Sequence, residues 1–187
     1  MAQNVRAVLA ELHADHRNMG LCLAVLEREA NRIYDNEEMD IELMHDVMTY
    51  MVGYPDAVHH PRENRLYAEL KQARPEHCRD LSRIYTDHQT IADRGLELRQ
   101  MFEAAAAGAA VKRKQLVADA LRYVETLRNH MRWEEADLFK RCGELDQYDP
   151  EEVSDENPLA DDPLFGGETE ARFARLLACI EDARQLR

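Results

Sequence analysis

The chain has 187 residues and a mass of 21.7 kDa, enough for one domain that buries roughly 70% of its unfolded surface and too few for two comfortable ones. A formal charge of −13 and a pI near 5.0 argue against nucleic acid or an anionic membrane as partner, since both repel an acidic surface. Cys22, Cys78, Cys142 and Cys179 are far apart and form no CxxC pair, residues 1 to 16 carry no secretory start, and no stretch approaches about 18 apolar residues, so a cytoplasmic protein with reduced thiols is expected.

The first element reads Val5, Leu9, Leu12, His16, Met19, Leu23, Leu26, Ala30 and Ile33, with gaps alternating between four and three. That is an amphipathic helix whose apolar stripe contains one histidine, His16, while His13 lies off the stripe and is expected to face solvent. The polar run Asp35 to Glu38 breaks the pattern, and Asp40 is a fair N-cap for a second helix. Its stripe is Ile41, Met44, Met48, Met51, Pro55, His59, Glu63, Leu66 and Leu70, so His59 and Glu63 lie on the buried face. Pro55 and Pro61 each remove an amide inside this helix and predict a bend near the pair.

Ala73-Arg74-Pro75 makes the next connection, with Pro75 expected at the first position of the third helix and Glu76 in its first turn. The third stripe is Leu81, Ile84, His88, Ile91, Gly95, Leu98, Phe102 and Ala105. Gly108, inside the run Ala104 to Ala110, marks the next reversal. A fourth helix follows through Leu116, Ala120, Tyr123, Leu127, His130, Glu134 and Leu138. From Asp146 to Gly167 the composition shifts to Asp, Glu, Pro and Gly, a non-helical tail able to wrap the bundle through Leu164 and Phe165 before Phe173, Leu177, Ile180 and Ala183 suggest a short closing helix. The fold class expected is all-α, an antiparallel up-down four-helix bundle over residues 1–145 with a C-terminal extension, 146–187, that ends in a short helix packed on it.

His59 and Glu63, and again His130 and Glu134, stand four residues apart, one turn on the same helix face. Imidazole with carboxylate suits iron, manganese or zinc rather than calcium. In an antiparallel bundle with short loops, residues equidistant from a loop share a height. The midpoint of His16 and His59 falls inside the Asp35 to Glu38 run, that of the first pair and His88 at Arg74-Pro75, and that of His88 and the second pair beside Gly108. His16, His59, Glu63, His88, His130 and Glu134 are therefore expected at one level and are the candidate metal ligands.

A single histidine on an apolar stripe is ordinarily a hydrogen-bonded core residue, but burying six ionisable groups unpaired would cost several kcal/mol each. A dry polar network or a zinc site stays open as the structural alternative. Glu42-Leu43-Met44-His45 matches one copy of the Glu-x-x-His of ferritin-like di-iron bundles, a scheme that wants two copies and further glutamates. His60, Glu135 and Trp133 flank the pairs; support, surface and packing are their ordinary readings, preferred for His60 and Trp133 and left open for Glu135, and the methionine stripe of the second helix reads as core.

With His16 in Asp15-His16-Arg17, HHPREN from 59, His88 in Thr86-Asp87-His88 and HMRWEE from 130, the chain resembles the hemerythrin-like, or HHE cation-binding, domain family over about residues 5 to 142. The resemblance implies a four-helix bundle holding two iron ions bridged by two carboxylates and an oxo or hydroxo group. Carried over residue by residue, it implies His16 and His59 on one iron, His88 and His130 on the other, and Glu63 and Glu134 as bridges. Oxygen-carrying members have two histidines one turn apart on the third helix, and here the position one turn before His88 is Ile84, so Tyr54, His45 or Glu135 is left to supply a seventh ligand. The function expected is that of a non-haem di-iron protein that binds or senses a small diatomic ligand, dioxygen or nitric oxide, or handles iron. The alternatives are an enzyme on the same site, acting on peroxide or nitric oxide or donating iron for repair, and a structural or zinc-binding bundle.

Overall fold

The structure, a computed structural model, describes residues 5–78, 81–143 and 162–185. Helix α1, Val5–Asn31, buries the expected stripe, including Leu9, Leu12, His16, Met19, Leu23 and Leu26. A 3-10 turn, Arg32–Asp35, closes it, and Asn36 takes the left-handed conformation at φ 58° that asparagine tolerates better than most residues. Asp40 then caps α2, Ile41–Tyr54, by accepting the Leu43 N–H at 3.0 Å.

The second helix continues through both prolines. Between α2 and α3, His60–Ala73, lies a π turn, Pro55–His59, in which the His60 N–H reaches back five residues to the Pro55 carbonyl. Proline at 55 and 61 supplies no N–H for the ordinary α bonds there, which lets the turn widen. The widening also answers the stripe: Met51, Pro55, His59 and Glu63 are separated by three gaps of four, whereas three α turns take about 10.8 residues, and a π turn absorbs the additional one.

The next connection corrects the expected start of the third helix. Pro75–Cys78 is a separate 3-10 turn, and α4 runs Arg83–Ala106. The Leu81 N–H bonds the Cys78 carbonyl and the Ile84 N–H bonds that of Leu81, so the chain steps through short turns that bring both apolar side chains into the core before α geometry begins. Gly108, at φ 83°, makes the predicted reversal. Then α5, Arg113–Trp133, passes through a second π turn, Glu134–Phe139, into α6, Lys140–Gly143, as one continuous fourth helix.

Facing pairs show that sequential helices run antiparallel: Asp15 with His59 and Glu29 with Asp40, Asn64 with His88 and Tyr67 with Tyr85, Arg94 with Thr126 and Asp87 with His130. The fourth returns to the first through Glu27 with Arg128 and His16 with Glu135. The molecule is an all-α bundle, with no strand among the described residues, and no described helix is long and apolar enough to cross a membrane.

Of the expected tail, residues 146–161 lie outside the described residues. Residues 162–167 form a non-helical turn in which the Asp162 carboxylate accepts the N–H groups of Leu164 at 2.8 Å and Phe165 at 2.9 Å. A 3-10 turn, Ala171–Phe173, leads into α7, Ala174–Gln185, which packs on α1 and α2. Its buried stripe is Phe173, Leu176 and Ile180; Leu177, expected inside, is only half-buried, because Phe173 belongs to the tighter 3-10 turn and shifts the phase of the helix after it. Leu164 is fully buried and Phe165 packs against the core, as the sequence suggested.

Two apolar clusters divide the interior. The larger joins Leu23, Met48, Phe102 and Leu127 with Leu164 and Phe173 of the extension. The smaller gathers Leu9, Leu70, Ile84 and Phe139 toward the other end.

Candidate metal centre

The candidate ligands lie in a polar level set between apolar surroundings. Glu63 and Glu134 are 0% exposed and His88, the most accessible of the six, is 6% exposed. His59 ends one π turn and Glu134 begins the other, so both wide turns sit at the site, where such insertions are commonly found. His16, His88 and His130 come from uninterrupted α geometry.

The imidazoles point their Nε2 atoms at the two carboxylates. His59 Nε2 is 3.2 Å and His16 Nε2 3.4 Å from Glu63 Oε1, while His16 Nε2 is also 3.5 Å from Glu134 Oε2. On the other side, His88 Nε2 lies 3.2 Å from both Glu63 Oε2 and Glu134 Oε1, and His130 Nε2 3.0 Å from Glu134 Oε1. Two groups result, each with ligand atoms within 4.8 Å of one another: His16, His59 and Glu63 in one, Glu63, His88, His130 and Glu134 in the other. All six candidates are brought together, and Glu63 belongs to both groups.

Most of these short approaches are not hydrogen bonds, the exception being His88 Nε2 with Glu134 Oε1 at 3.2 Å. The Nε2 atoms of His16, His59 and His130, both oxygens of Glu63, and Glu134 Oε2 are buried without a hydrogen-bond partner. Buried polar groups of this kind almost always find one, and a convergent set of imidazole and carboxylate donors is what a cation of the iron, manganese or zinc type takes. The residues present therefore fit two such ions sharing Glu63.

The outer faces of the rings are occupied by the protein. His59 Nδ1 is 2.9 Å from Asp15 Oδ2, His16 Nδ1 2.9 Å from Glu135 Oε1, His88 Nδ1 3.1 Å from Asn64 Oδ1, and His130 Nδ1 3.4 Å from Asp87 Oδ2. With an oxygen acceptor at Nδ1, the neutral rings of His16, His59 and His88 place their proton there and would turn the Nε2 lone pair inward toward a cation, whereas His130 Nδ1 is buried without a hydrogen-bond partner. The supports run around the bundle: hydrogen bonds join the first helix to the second helix's histidine, the second to the third's and the fourth to the first's, while Asp87 of the third helix only approaches His130 of the fourth. Each supporting residue is the sequence neighbour of a candidate ligand, and a neighbour on a helix is turned about 100° around the axis, toward the adjacent helix.

The charges favour each other strongly. Burial lowers His88, but the carboxylates of Glu134 and Glu63 outweigh it and carry its pKa to about 9. His16 and His59 are raised against the same burial by Glu134, Glu135 and Glu63 and by Glu63 and Asp15 respectively. Burial raises both glutamates, yet the histidines pull Glu63 well below the ordinary carboxylate range and Glu134 to about 2.

The neighbours depart from their sequence reading in part. Glu135 is no idle surface residue, because the π turn lays it against His16 and His13. His13 is half-buried, edge-on to Phe139 at 5.0 Å, rather than solvent-facing, since the same turn places Phe139 over α1. His60 is buried, stacked on His88 with ring centroids 4.2 Å apart, its Nδ1 3.0 Å from Asp56. Trp133 packs beside His130 under the Arg83 guanidinium. Tyr54 donates to Asp15, His45 sits beside Asp46, and neither they nor Glu135 belong to either group; Ile84 is fully buried in the smaller apolar cluster. Asp15, Asn64 and Asp87 carry no periodic signal that marks them as supports; their adjacency to a candidate ligand is the signal that finds them.

Against known proteins, the family model of the hemerythrin HHE cation binding domain matches residues 7–142. No curated protein and no solved structure matches the chain.

Proposed function

This chain belongs to the hemerythrin HHE cation binding domain family, and we propose that it is a non-haem di-iron protein that binds or senses dioxygen or nitric oxide, or handles iron. The observation that carries this reading is the sharing of Glu63 by two convergent ligand groups, most of whose inward atoms find no hydrogen-bond partner in the protein. His16 and His59 would hold one iron, His88 and His130 the other, and Glu63 and Glu134 would span both. Two irons so held supply electrons to, or take them from, a small oxidant or diatomic molecule. The chain's own residues would orient the neutral rings of His16, His59 and His88 through their Nδ1 bonds, bury the level, and place two carboxylates where two cations would sit close together. We place the protein in the cytoplasm, in keeping with cysteines that are all free thiols among the described residues.

Metal analysis tests the reading: about two irons per chain, with the charge-transfer absorption of a bridged ferric pair, is the expected result. Zinc alone, or no metal at all, sinks it.

A second reading, an enzyme acting on peroxide or nitric oxide or an iron donor, is favoured by one observation. Ile84 occupies the place one turn before His88 with an apolar side chain, neither His45 nor Glu135 joins either group in its stead, and Tyr54 gives its hydroxyl to Asp15. Fewer protein ligands leave room on both ions for water or substrate, a setting suited to turnover or exchange rather than to reversible carriage. The reduced protein cycled between air and argon is expected to oxidise within a few cycles; a spectrum that recovers through many cycles overturns this.

A further inference from the structure

We propose that the C-terminal extension is a working part of the metal centre, and that Asp162, through Tyr50 and Tyr54, is a positioning residue for the His59 ligand. For its iron arm, the inference rests on the two-ion reading above.

The connection is made of hydrogen bonds at its two ends and a contact between two tyrosine rings in the middle. Asp162 is 1% exposed, and its carboxylate does two things at once. One oxygen accepts the Leu164 and Phe165 N–H groups, which shapes the turn that begins the described part of the extension. The other accepts the Tyr50 hydroxyl at 2.9 Å. Tyr50 and Tyr54, one turn apart on α2, lie with rings 14° from parallel and centroids 5.9 Å apart. The Tyr54 hydroxyl donates to Asp15 Oδ1 at 3.2 Å, and Asp15 Oδ2 holds His59 Nδ1 at 2.9 Å. His59 Nε2 then faces Glu63 Oε1 at 3.2 Å.

The extension also encloses this line of groups. Phe165 and Phe173 both meet the Tyr50 ring edge-on at 5.9 Å, and Leu164 is fully buried beside them. A bare bundle would leave Tyr50 without its hydroxyl's acceptor and without the two aromatic rings that cover it. Water would then compete for the Tyr54 to Asp15 bond, and Asp15 would be free to turn away from His59. Shaping the turn needs only the oxygen that accepts the Leu164 and Phe165 N–H groups; the second oxygen, on the Tyr50 hydroxyl, joins the extension to the helix that carries Tyr54. Arg28 to Cys179 and Arg175 to Asp40 already tie α7 to the bundle at its surface without touching that line.

The test uses the full chain, with two readouts. In iron-loaded protein, loss of iron to a ferrous chelator is followed in time, and two phases are expected for two ions. In metal-free protein, proton NMR follows the downfield Nδ1–H resonance of His59, which a buried carboxylate acceptor protects from exchange. Asp162→Ala and Tyr54→Phe should each speed the slower phase of iron loss roughly threefold to tenfold, at or below the low end of what removing a ligand's direct support does, and both should broaden the His59 resonance. Asp162→Asn keeps one oxygen for the Leu164 and Phe165 N–H groups and offers the Tyr50 hydroxyl oxygen an N–H in place of an acceptor, so it should restore both signals in part. Arg175→Ala, which loosens α7 at the surface only, should leave them unchanged. Wild-type behaviour of Asp162→Ala and Tyr54→Phe in both readouts overturns the inference, and so does an equal effect from Arg175→Ala, which would make the extension a mere cover. If the protein takes up no iron, the proposed function fails, and the metal-free resonance alone decides this inference.

Discussion

The two halves of the centre use the same ligand types and are held differently. His16 and His59 each face a carboxylate at 2.9 Å, and Asp15 behind His59 is fully buried and backed by Tyr54. His88 has only the neutral amide of Asn64, at 3.1 Å. His130 stands 3.4 Å from the half-buried Asp87 with no hydrogen bond at its Nδ1, and the same Asp87 oxygen takes the Arg83 guanidinium at 2.8 Å. An anionic acceptor makes an imidazole a more basic ligand and fixes its direction, whereas an amide or a shared carboxylate does less of both. On the proposed two-iron reading, the His16 and His59 half would keep its ion, and the His88 and His130 half, where Ile84 also stands, would exchange its ion or meet a ligand.

Removing a ligand outright is the coarsest way to break that comparison. His59→Ala and His88→Ala should each remove about one iron of two, while His13→Ala, whose ring lies against Phe139 and Glu135 outside both groups, should keep both. Elemental analysis of purified, refolded-and-reloaded variants reads this directly. Equal iron content in His88→Ala and His13→Ala sinks the assignment. Because the ion binds the folded chain preferentially, melting temperature should fall with iron content.

Changing the supports sharpens the comparison instead. Asp15→Asn should weaken one ion by roughly 10-fold to 100-fold, the usual effect of losing an anionic partner behind a ligating histidine. Asp87→Asn should weaken the other by less than about tenfold, because Arg83 already draws on that carboxylate. Competition with a chelator of known affinity gives both constants. A larger effect at Asp87 than at Asp15 would reverse the ranking of the halves.

Much of this arrangement was legible because ligands and core share one period. His16, His59, Glu63, His88, His130 and Glu134 fall on the same stripes as leucine and methionine, and three polar or glycine-bearing loops bring those stripes to one height. The supports were harder to see, since Asp15 and Glu29 lie on a second buried face of α1 that no apolar pattern marks. That face is buried against α2 and the extension, and polar residues sit there because each has a partner: Tyr54 and His59 for Asp15, Arg28 and the Asp40 N–H for Glu29. The π turn at Pro55 was hidden for another reason. Proline announces a lost hydrogen bond but not whether the chain will kink or widen, and only the three successive gaps of four show that a residue had to be absorbed. The start of α4 was misplaced because Pro75 suits the first position of a 3-10 turn as well as that of an α-helix.

The smallest predicted effect concerns protons. In the metal-free protein His88 is carried to about 9, and His16 and His59 are also raised, so their charged forms stabilise the fold. A raised group contributes fully below its unfolded value, near 6.5, and its contribution is lost as pH climbs through about 9. Glu134, drawn down to about 2, contributes above its unfolded value near 4.5 and loses that contribution only as pH falls through about 2. Between these limits the protonated histidines stand in for the missing cations. Iron must displace those protons to reach the Nε2 lone pairs, so its uptake at neutral pH should release protons, and its advantage over the proton-filled site should grow with pH. The gap in melting temperature between iron-loaded and metal-free protein should therefore widen from pH 6 to pH 9, mostly because the metal-free form weakens. Calorimetry of both forms across that range checks it. A gap that stays constant or narrows would mean that the histidines are not charged in the metal-free fold, and that the carboxylates between the two halves are neutralised in some other way.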